Sequence, residues 1–210
     1  MGRLEGKVAL VTGAGSGIGQ AIAIRFAKEG ATVVANDLTA EHSRETLAKI
    51  RAESLEAHAI GADVSDADAV RAMFAEMLSR FGRIDVLVNN AGIGDSNAEE
   101  LALVNRTADA IMADMTAGKP PSARFDFTRH VTDESWRKQV GVHLSGCFFC
   151  TREALRDMMP RGSGSIVNMS SAGALVGQPV FTHYSAAKGG MISFYTLFYT
   201  TLFRFRKSVV

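Results

Sequence analysis

The sequence predicts a three-layer α/β fold, a doubly wound parallel sheet covered on both faces by helices. Two observations carry this expectation. Short apolar runs alternate with segments of helical period along the chain, and the first run ends in a glycine-rich turn that opens a helix. At 210 residues, 47% hydrophobic and 21% charged, the chain is long enough to bury one large core, and we read 1–210 as a single domain.

Residues 8–11 are apolar throughout, as in a strand buried on both faces. Thr12 and Gly13 end it. Gly15, Gly17 and Gly19 lead into a helical pattern with Ile18, Ile22 and Phe26 at four-residue steps, stopped by Gly30. At such a helix start the first N–H groups and the helix dipole favour an anion, and a side chain would hold a pyrophosphate away from the backbone. A glycine-rich turn alone is a weak signal; between a strand and a helix it points to a dinucleotide.

Residues 31–35 form a second buried strand ending at Asn36 and Asp37, followed by a polar helix over 40–54. A strand over 57–64 carries Asp63 and Val64 at its end. Ser65, with Asp68 three residues on, is expected to cap the next helix, whose stripe is Val70, Phe74, Met77 and Phe81. Residues 84–88 are a fourth strand running into Asn89, Asn90, Ala91 and Gly92. The rhythm then breaks. Residues 94–131 hold no clear strand, one helix over about 99–115 and a Lys119-Pro120-Pro121 turn, which reads as an insertion near the ligand face or the surface. Thr132 caps a long helix carrying Trp136, Val140, Leu144, Phe148 and Leu155, ended by Pro160 and Gly162. Residues 165–169 are a fifth strand running into Ser170 and Ser171. A loop with Gly173, Gly177 and Pro179 leads to Tyr184 and Lys188 at the start of the final helix.

A net charge of +1 without a basic stripe argues against a nucleic-acid partner. Residues 1–7 do not resemble a signal peptide, and two cysteines leave a reducing cytoplasm as the default location. Cys147 and Cys150 make a C-x-x-C with His143 one turn before; lacking further ligands they read as packed core, and no metal is expected. The aromatic tail over 191–205 is shorter than the roughly 18 residues a membrane span needs. It reads as core-facing or loosely ordered, with a surface-lying helix bearing Arg204, Arg206 and Lys207 as the alternative.

Four residues point to chemistry. Asp37 lies 18 residues beyond Gly19 at a strand end, where a carboxylate accepts hydrogen bonds from the adenosine ribose hydroxyls. It would repel a 2′-phosphate, and no Arg or Lys immediately follows, so NAD is favoured over NADP. Tyr184 and Lys188 are four apart and share a helix face. A free tyrosine titrates near about 10, and lowering that by about 3 units takes roughly 4 kcal/mol, which a nearby ammonium helps to supply. Ser171, thirteen residues before Tyr184, can donate a hydrogen bond to a substrate oxygen.

Taken together, the 12–19 loop, Asp63-Val64, the 89–92 motif, Ser171, and Tyr184 with Lys188 resemble the short-chain dehydrogenases/reductases, in family order over about residues 7–193. The resemblance implies a Rossmann-type sheet and NAD-dependent hydride transfer between nicotinamide and a secondary alcohol or ketone. Tyr184 would be the general acid/base, and Lys188 would hold the nicotinamide ribose and favour the phenolate. Ser171 would position the carbonyl or carbinol. Gly13, Ser16, Gly17, Ile18 and Gly19 would hold the cofactor's phosphates, Asp63 and Val64 would flank the adenine, and Asn90, Ala91 and Gly92 would line the cleft.

Three departures shape the expectation. The family's fourth catalytic residue, usually Asn, aligns with His143, where the backbone carbonyl holds a water in the family's proton relay. His143 is therefore a catalytic candidate, with a packed helix histidine as the alternative. Its Val142-His143-Leu144 setting also occurs in relatives acting on 3-hydroxyacyl or 3-oxoacyl thioesters. The 94–131 stretch is longer than the family's connection. Lastly, residues 194–210 do not resemble the family's continuation, so the sheet is expected to lack its usual last two strands, which leaves the fifth strand at an edge. The family's homo-oligomers pair through helices near His143 and after Tyr184, so an altered tail bears on assembly too. The expected result is an intact cofactor half with weakened or absent catalysis; the alternative to an active enzyme is a dinucleotide-binding fragment without turnover.

Overall fold

The structure, a computed structural model, describes residues 2–94, 98–176 and 181–201. Five strands form one parallel sheet: β1 (Val8–Thr12), β2 (Thr32–Asp37), β3 (Ala57–Gly61), β4 (Val86–Asn89) and β5 (Ser165–Asn168), in the order β3-β2-β1-β4-β5. The chain runs outward from β1 through β2 to β3, then returns to place β4 on the other side of β1. That reversal opens a crevice at the carboxyl ends of β1 and β4, the usual ligand position in such sheets.

Alternation along the strands divides the core into two layers. Leu10, Val34 and Leu87 face Val70, Met73, Phe74 and Met77 of helix α3 (Ala67–Phe81) and Cys150, Ala154 and Met158 of helix α6 (Gly146–Arg161). Ala9, Val11, Val33 and Val88 face Ala23 and Ala27 of helix α1 (Gly17–Lys28) and Leu47 and Ile50 of helix α2 (Arg44–Arg51). Each large side chain fully buried this way contributes about 1.5–3 kcal/mol.

Several boundaries differ from the sequence expectation. The buried stripe of α1 is Gly19, Ala23 and Ala27, whereas Ile18 is 63% exposed, because small residues let this helix lie close to the sheet. The polar helix over 40–54 divides into a 3-10 turn (Ala40–Ser43) and α2. Asp66, not Ser65, caps α3: its Oδ1 accepts from Asp68 N at 2.7 Å and Ala69 N at 3.2 Å, while Ser65 is held by Asp63. The 94–131 stretch carries helix α4 (Ala98–Thr116) and a 3-10 turn (Thr128–His130).

Thr132 does cap the next helix, accepting from Ser135 N at 3.0 Å. The single long helix expected from the sequence is instead α5 (Asp133–Val140), a π turn (Gly141–Ser145) and α6, with Pro160 inside the last turn. The π turn breaks the ladder where His143 sits. Helix α7 (Thr182–Thr201) packs on α5, the π turn and a 3-10 turn (Ala172–Ala174). Among the described residues β5 is an edge strand, and all four of its residues are only partly buried. Gly177, Pro179 and the tail from 202 onward lie outside the described residues. No described helix is long and apolar enough to cross a membrane.

Candidate active site

The turn from β1 into α1 is built by close backbone approach. A Cβ on Gly19 would lie 2.0 Å from Gly13 O and 2.5 Å from Asn90 Nδ2. Gly13 has φ +63°, and a Cβ there would lie 2.8 Å from Ala91 Cα. Thr12 and Asn90 lock the two loops together. Thr12 Oγ1 accepts from Asn90 N at 3.1 Å and Ala91 N at 3.0 Å, while Asn90 Nδ2 donates to Thr12 O at 3.0 Å and Gly13 O at 3.1 Å. The Asn90 side chain therefore braces the turn from within.

Ser16, Gly17 and Ile18 stand exposed at the mouth. Ser16 makes no side-chain cap, and the first turn of α1 holds no acidic residue, so nothing opposes the positive end of the helix. Asp37 sits at the lip. Its Oδ2 accepts from Gly15 N at 2.9 Å and its Oδ1 from Leu38 N at 2.9 Å, which fixes the carboxylate while leaving lone pairs for further donors. Donors for a pyrophosphate beside an acceptor for a ribose diol fit a dinucleotide. Asp63 is exposed and accepts from Ser65 N at 2.8 Å and Ser65 Oγ at 2.7 Å. Val64 is buried: it packs so tightly on α6 that a Cβ on Gly146 would meet its Cγ2 at 2.8 Å.

The end of β5, the π turn and α7 assemble the second half of the site. Ser171 Oγ accepts from Gly173 N at 3.2 Å, which leaves its proton free to donate. The Tyr184 ring meets the His143 ring edge-on, centroids 5.2 Å apart at 88°, and Lys188 Nζ lies 5.8 Å from the Tyr184 ring centre. Lys188 is 5% exposed, and its Nζ donates to Met169 O at 2.5 Å. Burial pushes its pKa down, and the nearby Cys147 thiol partly opposes this.

His143 is buried against the end of β4. Its Nε2 lies 3.1 Å from Ile93 O and 3.3 Å from Ile93 N, and a Cβ on Gly92 would touch its Cε1 at 2.6 Å. Burial and the neighbouring Lys188 ammonium lower its pKa to about 4, against the Ile93 hydrogen bond. It is therefore neutral near pH 7 and wedged between Ile93 and Tyr184. Cys147 and Cys150 are free; burial raises the Cys147 pKa to about 11 and pushes Cys150 up further, so both are unreactive thiols near neutrality. Among the described residues no three His, Cys, Asp or Glu side chains are grouped to hold a metal ion.

One cluster escapes the sequence. Glu100, Thr132, Ser135 and His183 meet directly behind the backbone of Tyr184. No period or motif marks Glu100; the only hint is a histidine next to Tyr184.

With this geometry in hand, the chain can be placed: it belongs to the short chain dehydrogenase family, whose sequence profile matches residues 7–202. Members bind a nicotinamide dinucleotide. The chain is 38% identical to a 3beta-hydroxysteroid dehydrogenase of Mediterraneibacter gnavus over 190 residues, covering 90% of this chain and 58% of the relative. It is 35% identical to a 3-oxoacyl-(acyl-carrier-protein) reductase of Thermotoga maritima over 190 residues, 90% of this chain and 65% of that one. A crystal structure assigned to the short-chain dehydrogenases/reductases, from Burkholderia xenovorans, superposes with a TM-score of 0.76 at 31% identity, over 95% of this chain and 71% of the other. The chain thus spans 58% to 65% of the length of these two curated relatives.

Proposed function

We propose that this chain is an NAD-dependent oxidoreductase that moves a hydride between nicotinamide and a secondary alcohol or ketone. One observation carries the reading: Tyr184, Lys188 and His143 pack together at the same sheet end as the anion-ready turn of α1. The nicotinamide, when bound, supplies the hydride chemistry. Tyr184 Oη takes the carbinol proton during oxidation and returns it to the ketone oxygen during reduction. The buried Lys188 ammonium, beside the Tyr184 ring, would hold the nicotinamide ribose. Ser171 Oγ donates to the substrate oxygen and orients the reacting carbon. Gly13, Ser16, Gly17, Ile18 and Gly19 hold the phosphates, with Asp63, Val64, Ala91 and Gly92 around the adenine and the cleft. His143 keeps Tyr184 in place as a neutral packing partner.

Asp37 supports NAD over NADP, since its fixed carboxylate repels a 2′-phosphate and exposed Leu38, not a cation, follows it. The names of both relatives specify a 3-hydroxy or 3-oxo group, which supports a 3-hydroxyacyl or 3-oxoacyl compound, or an alcohol of similar kind, as substrate. Two free buried thiols accord with a cytoplasmic setting. We take 1–210 as one domain with 94–131 inserted beside the substrate mouth.

Calorimetric titration with NAD and NADP, beside NADH absorbance over a panel of 3-hydroxyacyl thioesters and hydroxysteroids, tests the reading. The expected result is NAD bound at least about 10-fold tighter, a difference of about 1.4 kcal/mol, with turnover on part of the panel. Binding without turnover would leave a cofactor-holding chain; a folded chain that binds neither dinucleotide would overturn the proposal.

A further inference from the structure

Glu100 lies in the first turn of α4 and is 3% exposed. A carboxylate buried this deeply persists only where hydrogen bonds replace water. Its Oε1 accepts from Thr132 N at 3.3 Å and its Oε2 from Ser135 Oγ at 2.9 Å. The remaining neighbour is His183, fully buried, whose Nε2 makes no hydrogen bond and stands 3.5 Å from Glu100 Oε2, an ion-pair distance. At the opposite side of the same ring, Nδ1 accepts the backbone N–H of Tyr184 at 2.9 Å. A ring nitrogen that accepts carries no proton, so the imidazole proton sits on Nε2 and faces the carboxylate. Phe127 packs edge-on against this ring at 5.6 Å and limits its swing. Glu100, the His183 ring and the Tyr184 backbone thus line up from α4 to the first turn of α7, joined by the Tyr184 hydrogen bond at one end and by the 3.5 Å approach of ring and carboxylate at the other.

We propose that Glu100 is a positioning residue for Tyr184, acting through the oriented imidazole of His183. The proposal rests on the reading of Tyr184 as the acid/base. The 94–131 stretch thereby gains a role, since it supplies the carboxylate that holds the start of α7 in register with Ser171 and the cofactor crevice. A Tyr184 N–H at a helix start has no partner within its own helix, and His183 Nδ1 provides one. The carboxylate then decides which nitrogen of that ring is free to do so.

Glu100→Gln tests this in the full chain, since it keeps the volume, removes the charge and sets an amide donor among groups that need an acceptor. In the unaltered chain, nitrogen NMR should show His183 as the Nε2–H tautomer and the Tyr184 amide as slow to exchange. In Glu100→Gln, Tyr184 amide exchange should rise at least about 10-fold. The kcat should fall on the order of 10-fold, with KM and the NAD Kd within about 2-fold. Met77→Ala, a core truncation on α3, controls for lost stability and should leave both Tyr184 exchange and kcat in place. Unchanged Tyr184 exchange and His183 ring signals in Glu100→Gln would overturn the proposal, as would Met77→Ala reproducing the same changes. If the unaltered chain shows no turnover, the acid/base reading fails, while the NMR signals still decide the link from Glu100 to Tyr184.

Discussion

At the scale of single residues, Lys188 makes the strongest demand on the site. An ammonium 5% exposed, donating to Met169 O at 2.5 Å and set over the Tyr184 ring, is costly to bury and persists because its surroundings use it. Lys188→Met should lower kcat by at least about 100-fold, measured as NADH formation, with a smaller loss of NAD affinity by calorimetry. His143 sets a pH dependence. Its pKa, lowered to about 4 in the fold from about 6.5 in an open chain, means the unfolded state binds the extra proton between those values. Stability is therefore complete above about pH 6.5 and falls as the pH drops toward 4, by at most about 3 kcal/mol. His143→Asn should flatten that slope in denaturant melts taken across pH 4–7; an unchanged slope would contradict the assignment. Ser171, Tyr184 and Lys188 were singled out by their offsets only in combination with the glycine loop and the family resemblance, since a tyrosine and a lysine four apart are common by chance. Glu100 was not legible, since a single carboxylate in the first turn of a helix looks like a solvated one until Thr132, Ser135 and His183 fold around it.

At the scale of elements, the turn from β1 to α1 leaves no room for a side chain at Gly19, whose Cβ would fall 2.0 Å from the Gly13 carbonyl. Gly19→Ala must shift α1 against the 89–92 segment. It should cost about 1–3 kcal/mol of stability in denaturant melts and remove NAD binding in a titration; an alanine variant that binds NAD normally would contradict the role given to this turn. The strands were readable from apolar runs because both faces of a parallel sheet are covered. The packing face of α1 was not: Ile18, Ile22 and Phe26 show the right period, yet Gly19, Ala23 and Ala27 make the close contact. The break at Gly141–Ser145 was invisible for a different reason. A π turn adds a residue without interrupting the apolar stripe from Trp136 to Leu155, so composition carries no trace of it.

At the scale of the whole molecule, the sheet order places the phosphate-ready turn and the tyrosine helix at one crevice, from segments more than 150 residues apart in sequence. Ligand binding should then stabilise the entire domain. At 100 times its Kd, NAD should add about 2.7 kcal/mol, read as a rise in Tm that NADP at the same concentration does not match. The α/β class and the order of the motifs could be read from the sequence; the role of the 94–131 stretch could not, because it depends on a contact between α4 and α7 that only the fold creates. The most direct measurement is NADH formation from a secondary alcohol by the chain and by Tyr184→Phe, at saturating NAD. Turnover is expected, and the phenylalanine variant should lower it by at least about 1000-fold while NAD affinity stays within about 2-fold. Equal turnover in Tyr184→Phe, or none in the unaltered chain with NAD bound, would contradict the assignment of Tyr184 as the acid/base.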